Sequence, residues 1–267
     1  MKRREFLKSS VAGSLGATLA DHSLGASPLE GGLQPRAAST RKILIAGGGF
    51  GTAFIRYMAQ LTGKPRPKLL YLPTASADSP TGIINWYRAC ATLNVEPSHQ
   101  ISFIASYTQT RTWEEVLLSV DGIVCSGGNT LNQQVIWKAH GIDALLRQAW
   151  DRGIVLGGAS AGSLCWFEHG TTDSRPKELS RVDGMGFLQG SHSPHYDAEP
   201  GRRPLYQQMI QAGQMKPGYA CDNDAGIYFE DSTVRRVVST RAAAKVYYVS
   251  LEGGTVVEQV MEPERIE

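Results

Sequence analysis

The sequence predicts an α/β protein in which helices cover both faces of a mostly parallel sheet. From residue 41 onward, short apolar runs alternate with segments of helical periodicity, as expected for buried parallel strands joined by helices. Two of the runs end in glycine-rich turns, Gly47-Gly48-Gly49 and Ser126-Gly127-Gly128. The chain has 267 residues, of which 42% are hydrophobic and 19% charged, and this is enough for one sizeable core.

The order of the elements follows from the spacing of apolar residues. The predicted strands are residues 42–46, 69–72, 101–104, 122–125 and 154–156, and the predicted helices are residues 53–61, 82–93, 113–120 and about 130–151. After residue 217 the segments GIYFE, VRRVVST, AKVYYVS and GTVVEQV are extended and joined by short turns. They predict an antiparallel strand region at the C-terminal end. No internal repeat is present, so residues 33–267 are expected to form one domain.

The N-terminal segment MKRREFLKSSVAGSLGATLA resembles a twin-arginine export signal. We therefore expect residues 1–32 to comprise a signal, cleaved after Ala20 or Ala26, and the start of a linker. This implies the twin-arginine export machinery as a partner and a periplasmic or secreted protein. The apolar stretch is too short to span a bilayer, so no stable membrane anchor is expected. The net charge of +2 gives no broad basic surface for nucleic acid.

Metal and cofactor sites are weakly indicated. The four cysteines are widely spaced without a C-x-x-C pair, which favours buried free thiols. A dinucleotide site at Gly47–Thr52 is disfavoured because Thr52 occupies the third glycine position of G-x-G-x-x-G. The spacing His192-x-x-His195-x-Asp197 leaves a metal site open as an alternative, although Pro194 argues against a helix there. We expect neither a metal nor a cofactor.

The segment Gly158-Ala159-Ser160-Ala161-Gly162 follows a predicted strand and has the G-x-S-x-G pattern of a nucleophile elbow. The same pattern also occurs in ordinary glycine-rich turns, so the residues that could act with Ser160 must distinguish a nucleophile elbow from such a turn. Gly128 can offer an N–H group to an oxyanion, and Asn129 can cap the helix that follows.

The positions of the histidines limit the choice of a general base. The chain has six histidines, and none follows His195, which lies in the polar loop GSHSPHYDAEP. The order in which histidine comes last would require Asp173 or Asp183 as the acid. The order serine, histidine, acid leaves Asp222, Asp224 or Glu230.

Five segments together resemble peptidase E, the aspartyl dipeptidase family of serine exopeptidases, which is related to cyanophycinase. They are VCSGGNT, WKAHGIDALLRQAW, GGASAGSLCWFEHGTTDS, GFLQGSHSPHYDAEPGRRPLY and DNDAGIYFEDSTVRRVVSTRAAAKVY. The resemblance implies the class I glutamine amidotransferase-like fold, a three-layer sandwich with a mostly parallel sheet. It also implies hydrolysis of peptides with an N-terminal aspartate. The alternatives are a cyanophycinase-like hydrolase of β-aspartyl peptides and a non-catalytic binding protein on the same fold.

Carried over by position, the resemblance makes Ser160 the nucleophile, His195 the general base and Glu230 the acid that orients the base. The N–H groups of Gly128 and Ala161 would form the oxyanion hole.

The small peptide substrate needs further contacts. An exopeptidase must bind the α-ammonium of its substrate, for which Asp173 or Glu199 could serve. Arg202 and Arg203 are the candidates for a substrate aspartate, because guanidinium binds carboxylate in a bidentate manner. Asn129, in the turn after the oxyanion glycine, completes the predicted substrate-binding set.

Overall fold

The computed structural model describes residues 39–103 and 106–267. The predicted export signal, residues 1–32, lies outside the described residues, and so does residue 104 of the strand predicted at residues 101–104. Within the described part of the chain, no helix is long and apolar enough to cross a membrane.

A main sheet of eight strands carries the fold. Its centre is five parallel strands in the spatial order β1 (Lys42–Ala46), β5 (Val155–Ala159), β4 (Gly122–Cys125), β2 (Lys68–Leu72) and β3 (Glu96–His99). Beside β1, the sheet continues with β10 (Ala225–Glu230), β11 (Thr233–Ser239) and β14 (Glu264–Arg265). Because β10 runs antiparallel to β1, its first residues lie at the carboxyl edge of the parallel strands and its last residues lie at the opposite edge.

Helices pack on both faces of this sheet, as the alternating pattern predicts. Strand β1 shows the division, since Leu44 and Ala46 belong to one apolar cluster and Ile43 and Ile45 to the other. The first cluster contains the helices α1 (Thr52–Leu61) and α2 (Pro80–Cys90). The second contains α3 (Trp113–Leu117), α4 (Thr130–His140) and α5 (Ile142–Asp151).

A second sheet of six strands packs on the same side as the second cluster, which includes Phe167, Leu188, Cys221 and Val246. Its strands are, in spatial order, β13 (Thr255–Met261), β12 (Val246–Glu252), β9 (Gly218–Cys221), β8 (Leu188–Ser193), β6 (Phe167–Thr172) and β7 (Ser180–Asp183). The helix α7 (Arg202–Gln211) lies between β8 and β9 in the chain, and its residues Tyr206 and Ile210 pack with Ala220 and Val249 of this sheet. The short helix α6 (Ala161–Leu164) follows β5.

The predicted α/β class with a mostly parallel sheet is confirmed, with three local corrections. Strand β3 is Glu96–His99, not residues 101–104, because an edge strand with a single neighbour can be polar and so lacks the expected apolar run. The helix predicted at 130–151 divides at Gly141, whose φ of 69° ends α4. The C-terminal strands do not form one region: β10 and β11 join the main sheet, whereas β12 and β13 join the second sheet.

Candidate active site

Ser160 sits at a sharp turn between β5 and α6, at the carboxyl edge of the parallel strands. Its φ of 56° and ψ of −119° are unusual for a residue other than glycine, as expected for a serine held at the tip of a strand-to-helix elbow. The turn is held by hydrogen bonds from the Ser160 N–H to Ala46 O at 3.3 Å and from the Leu164 N–H to Ser160 O at 2.9 Å. Such backbone strain persists where the surrounding contacts impose it, and it occurs often at functional sites.

Backbone N–H groups lie beside Ser160 on the side of β4. A methyl group built on Gly127 would lie 3.2 Å from Ser160 Cβ and 3.7 Å from its Oγ, so the turn after β4 runs along the serine. No backbone acceptor among the described residues takes the N–H of Gly127, Gly128, Ala161 or Gly162. These free donors fit the predicted oxyanion hole, in which Gly128 and Ala161 would act.

Only glycine fits at position 128. Its φ is 132°, and a Cβ there would lie 2.2 Å from Ala75 O. The turn is anchored on both sides by hydrogen bonds, from the Asn129 N–H to Ala75 O at 2.8 Å and from the Thr130 N–H to Ser174 Oγ at 2.9 Å. The direction of the Gly128 N–H is therefore fixed by its neighbours.

His195 lies in the loop after β8, and the partner of its ring is Asn223. Its Nδ1 is 2.7 Å from Asn223 Oδ1. With this oxygen as the acceptor, Nδ1 carries the proton and Nε2 is free to act as a base. His195 also has a left-handed backbone, with φ of 53°. Among the described residues, no hydrogen bond joins the side chains of Ser160 and His195. Hydrogen bonds between catalytic groups are often long without substrate and shorten when it binds.

The predicted role of Glu230 is not supported by the structure. Glu230 is the last residue of the antiparallel strand β10, and it pairs with Lys42 at the start of β1. Lys42 lies four positions before Ala46 in β1, which corresponds to about 13 Å at ~3.3 Å per residue. Its carboxylate instead accepts a hydrogen bond from Tyr228 Oη at 2.7 Å and forms an ion pair with Arg235 Nε at 2.9 Å. Glu230 therefore stabilises the far edge of the sheet.

Asn223 is itself held by an ion-pair network. Its N–H donates to Asp197 Oδ1 at 2.8 Å, and its carbonyl accepts from Arg241 Nη2 at 3.0 Å. The Arg241 guanidinium also pairs with Asp197 and with Asp224. The acidic residues near His195 thus act on the backbone of Asn223 rather than on the imidazole ring.

The turn after β1 packs against the hydrogen-bonded side chains of His195 and Asn223. A Cβ on Gly48 would lie 2.1 Å from Asn223 Oδ1 and 2.7 Å from His195 Nδ1, and Gly48 forms a parallel bridge with Asn223. The glycines after β1 therefore allow the His195–Asn223 hydrogen bond to form, which accounts for them without a nucleotide.

His192 has a different environment from His195. It is completely buried; its Nε2 lies 2.9 Å from Ser163 Oγ and its Nδ1 lies 3.0 Å from Tyr219 O. Burial lowers the pKa of His192 to about 3, so the ring stays neutral. Since both of its nitrogens are engaged, it cannot share a metal with His195. Within the described residues, no group of three or more histidine, cysteine or acidic residues could hold a metal ion.

The predicted substrate-binding residues form one cluster around Arg202. This guanidinium is only 2% exposed; it donates to Glu199 Oε2 at 2.7 Å and to the Thr171 carbonyl, and it lies 3.5 Å from Asp173 Oδ1. Asp173 is adjacent to Ser174, which holds the turn that contains Gly128. The structure thus brings Asp173 and Glu199 together, and Asp173 remains 62% exposed.

Both arginines are engaged by carboxylates of the protein itself, which argues against the predicted contact with a substrate carboxylate. Arg202 is enclosed by its own two carboxylates, and Arg203 pairs with Glu258 and lies over the rings of Tyr196 and Tyr247. Asn129 is also occupied: its Oδ1 accepts from the Asn132 N–H at 2.9 Å and its Nδ2 donates to Ser174 O at 3.1 Å. The predicted cap at Asn129 is confirmed, and its amide uses one donor and its oxygen in hydrogen bonds within the protein.

The four cysteines lie in the interior of the protein. All four are buried and free, as predicted. Burial raises the pKa of Cys125, Cys165 and Cys221 well above the ordinary thiol value, so these thiols stay protonated.

Most of this chain is similar in sequence to known peptidases. The sequence model of Peptidase family S51 matches residues 43–237. The chain belongs to peptidase family S51. A relative from Bacillus subtilis (strain 168), "Uncharacterized peptidase YgaJ", is 39% identical over 214 residues, which cover 78% of this chain and 91% of the relative. The family placement makes this chain a peptidase E-like enzyme of the serine peptidase class.

Solved structures share the fold at low sequence identity. A peptidase from an acI-B1 Actinobacterium superposes with a TM-score of 0.67 at 17% identity, covering 86% of this chain and 98% of that one. A peptidase E candidate from Listeria monocytogenes EGD-e has a TM-score of 0.56 at 18% identity, covering 74% and 98%.

Asn223 is not among the residues predicted from the sequence. A search for an acidic partner of His195 leads to the flanking residues Asp222 and Asp224 and passes over the amide between them. The order of the strands does point to Asn223. If β10 is antiparallel to β1, the residues just before β10 lie at the carboxyl edge of β1, beside the predicted site. Asp222 instead accepts the Lys245 N–H at 2.9 Å, and burial raises its pKa.

Proposed function

We propose that this S51 peptidase hydrolyses short peptides through an acyl-enzyme on Ser160, with His195 as the general base and Asn223 as the residue that positions it. The strained elbow at Ser160 carries this proposal. It presents the serine next to free N–H groups, and a histidine with one free ring nitrogen lies in a neighbouring loop.

The chemistry follows from these groups. Ser160 Oγ attacks the scissile carbonyl carbon while its proton passes to His195 Nε2. The carbonyl oxygen becomes an oxyanion and accepts hydrogen bonds from the N–H groups of Gly128 and Ala161. When the C–N bond breaks, His195 returns the proton to the leaving amine. Water then attacks the ester in the same way, releasing the acid and restoring the hydroxyl of Ser160.

Asn223 fits this cycle. Its Oδ1 accepts a hydrogen bond from the Nδ1–H of His195, both when the ring is neutral and when it becomes an imidazolium on deprotonation of Ser160. An amide offers orientation without a full negative charge, as in the Cys-His-Asn arrangement of other peptidases.

Asp173 supports an exopeptidase. Its exposed carboxylate lies next to the residues that anchor the oxyanion turn, where the α-ammonium of a bound peptide would be close to the scissile bond. We propose that Asp173 binds this ammonium and that Arg202, which is itself paired with Glu199, holds Asp173 in place. An Asp173→Asn variant should raise KM for free dipeptides and have little effect on N-acetylated ones. An equal effect on both would argue against this role.

The direct test is turnover of dipeptides by the wild type and by Ser160→Ala. Hydrolysis that is lost in Ser160→Ala supports the proposal. Full activity in Ser160→Ala, or no hydrolysis of any peptide by the wild type, would overturn it.

We further propose that residues 1–32 direct export by the twin-arginine route, supported by the sequence around Arg3 and Arg4. Cell fractionation should find the protein outside the cytoplasm, and a variant with both arginines changed to lysine should remain inside. An unchanged distribution would contradict export by this route.

A further inference from the structure

A cleft of about 500 Å³ opens beside Ser160 on the face of the sheet that carries α1 and α2. Ser160 and Gly127 line one end of it, and the loop of Gly49, Phe50 and Gly51 lines another side. Helix α2 forms a further wall. The volume of the cleft is in the range of pockets that bind small ligands.

One face of α2 forms this wall. Gly82, Asn85, Trp86 and Ala89 line the cleft, and their spacing of three, four and seven residues places them on one side of the helix. Trp86 stacks on Tyr71, with ring centroids 5.4 Å apart and an angle of 12° between planes. Its Nε1 donates to Ser98 O at 3.1 Å, so the indole is fixed. The small residues Gly82 and Ala89 leave room beside these rings.

The cleft contains no charge. None of the described residues that line it is acidic or basic, and Asn85 is its one side-chain amide. Burial raises the pKa of Tyr71, whose hydroxyl is bonded to Ser76 and Ser126, so this phenol is neutral as well. A carboxylate or ammonium placed here would lose its hydration without gaining an ionic partner, which is costly.

We propose that this cleft binds an uncharged, apolar or aromatic side chain next to the scissile bond, so that such residues are preferred to aspartate at the substrate position that enters the cleft. This inference rests on the proposed function, because it assigns the substrate class of the Ser160 site. It agrees with the engagement of Arg202 and Arg203 in ion pairs within the protein.

Binding to a Ser160→Ala protein tests the cleft separately from catalysis. Calorimetry would compare Phe-Leu with Asp-Leu and Leu-Phe with Leu-Asp, so that both sides of the scissile bond are sampled. At the position that enters the cleft, we expect affinity for phenylalanine to exceed that for aspartate by about tenfold or more. Equal or tighter binding of aspartate at both positions would overturn the proposal.

A matched pair of variants locates the effect. Asn85→Lys, combined with Ser160→Ala, adds a cation inside the cleft and should reverse the preference in favour of aspartate. Ile84→Lys adds the same charge to the same helix, at a residue that is 51% exposed and outside the cleft lining, and should leave the preference unchanged. Equal shifts in both variants would show a long-range charge effect and overturn the assignment.

Failure of the two proposals can be told apart. If Ser160→Ala discriminates as expected but the wild type hydrolyses no peptide, the proposed function fails and the cleft assignment stands. If the wild type hydrolyses peptides through Ser160 without discriminating against aspartate, the cleft assignment fails.

Discussion

Replacing Asn223 with alanine removes the only side-chain acceptor that the described structure places at His195 Nδ1, at 2.7 Å. During acylation the ring becomes an imidazolium, and a hydrogen bond to a charged group contributes about 1.5–3 kcal/mol. At about 1.4 kcal/mol per tenfold, this corresponds to a loss of about 10- to 150-fold in kcat/KM. KM should change little, because Asn223 acts through His195 and does not contact the substrate.

The assay is the pH dependence of dipeptide hydrolysis for three variants. Asn223→Asp keeps an acceptor at the same place and adds a charge that favours the imidazolium, so the acidic limb of kcat/KM should move to higher pH. Glu230→Gln is the control and should leave the profile unchanged, since Glu230 contacts Tyr228 and Arg235 at the far edge of the sheet. Loss of activity in Glu230→Gln, together with full activity in Asn223→Ala, would refute this assignment of the positioning residue.

Three further predictions follow from the contacts around the site. Gly48→Ala should lower kcat/KM at least as much as Asn223→Ala with little loss of stability, because the three atoms nearest its Cβ belong to the side chains of Asn223 and His195; chemical denaturation measured beside activity checks this. His192 has a pKa of about 3 when folded and 6.5 as its ordinary value, so the unfolded state binds its proton first as pH falls through this window. Stability should therefore drop by about 2 kcal/mol between pH 7 and pH 5 through this group, and His192→Gln should show a correspondingly shallower slope in urea titrations. Arg202→Met should destabilise by about 3–5 kcal/mol because it leaves Glu199 and the Thr171 carbonyl without their donor. Arg203→Ala removes a guanidinium that is 46% exposed and should cost less than Arg202→Met, so equal melting temperatures for the two variants would contradict the difference in burial.

The central part of the fold could be predicted from the sequence because buried parallel strands are apolar along their whole length. Strands β1, β2 and β4 are such runs, and each was found within one residue. Strand β3 was misplaced because EPSH at a sheet edge has no apolar signal. The assignment of late strands to two sheets depends on long-range pairing, such as β10 with β1, which local periodicity does not record.

The site was predicted where chemistry and local pattern coincide. Ser160, Gly128 and His195 lie in turns whose sequences require unusual backbone geometry or a polar loop, and the structure places them at one edge of the sheet. The resemblance to peptidase E assigns the orienting role to Glu230 by position. Because β10 runs antiparallel to β1, Glu230 lies at the far edge of the sheet, and the segment before β10 brings Asn223 to His195 instead.

Labelling with a fluorophosphonate followed by mass spectrometry of the peptide that contains residue 160 shows whether Ser160 is the nucleophile. We expect a single adduct on Ser160, formed more slowly in His195→Ala and Asn223→Ala and at the wild-type rate in Glu230→Gln. Labelling at a different serine, or an unchanged rate on Ser160 without His195, would contradict it.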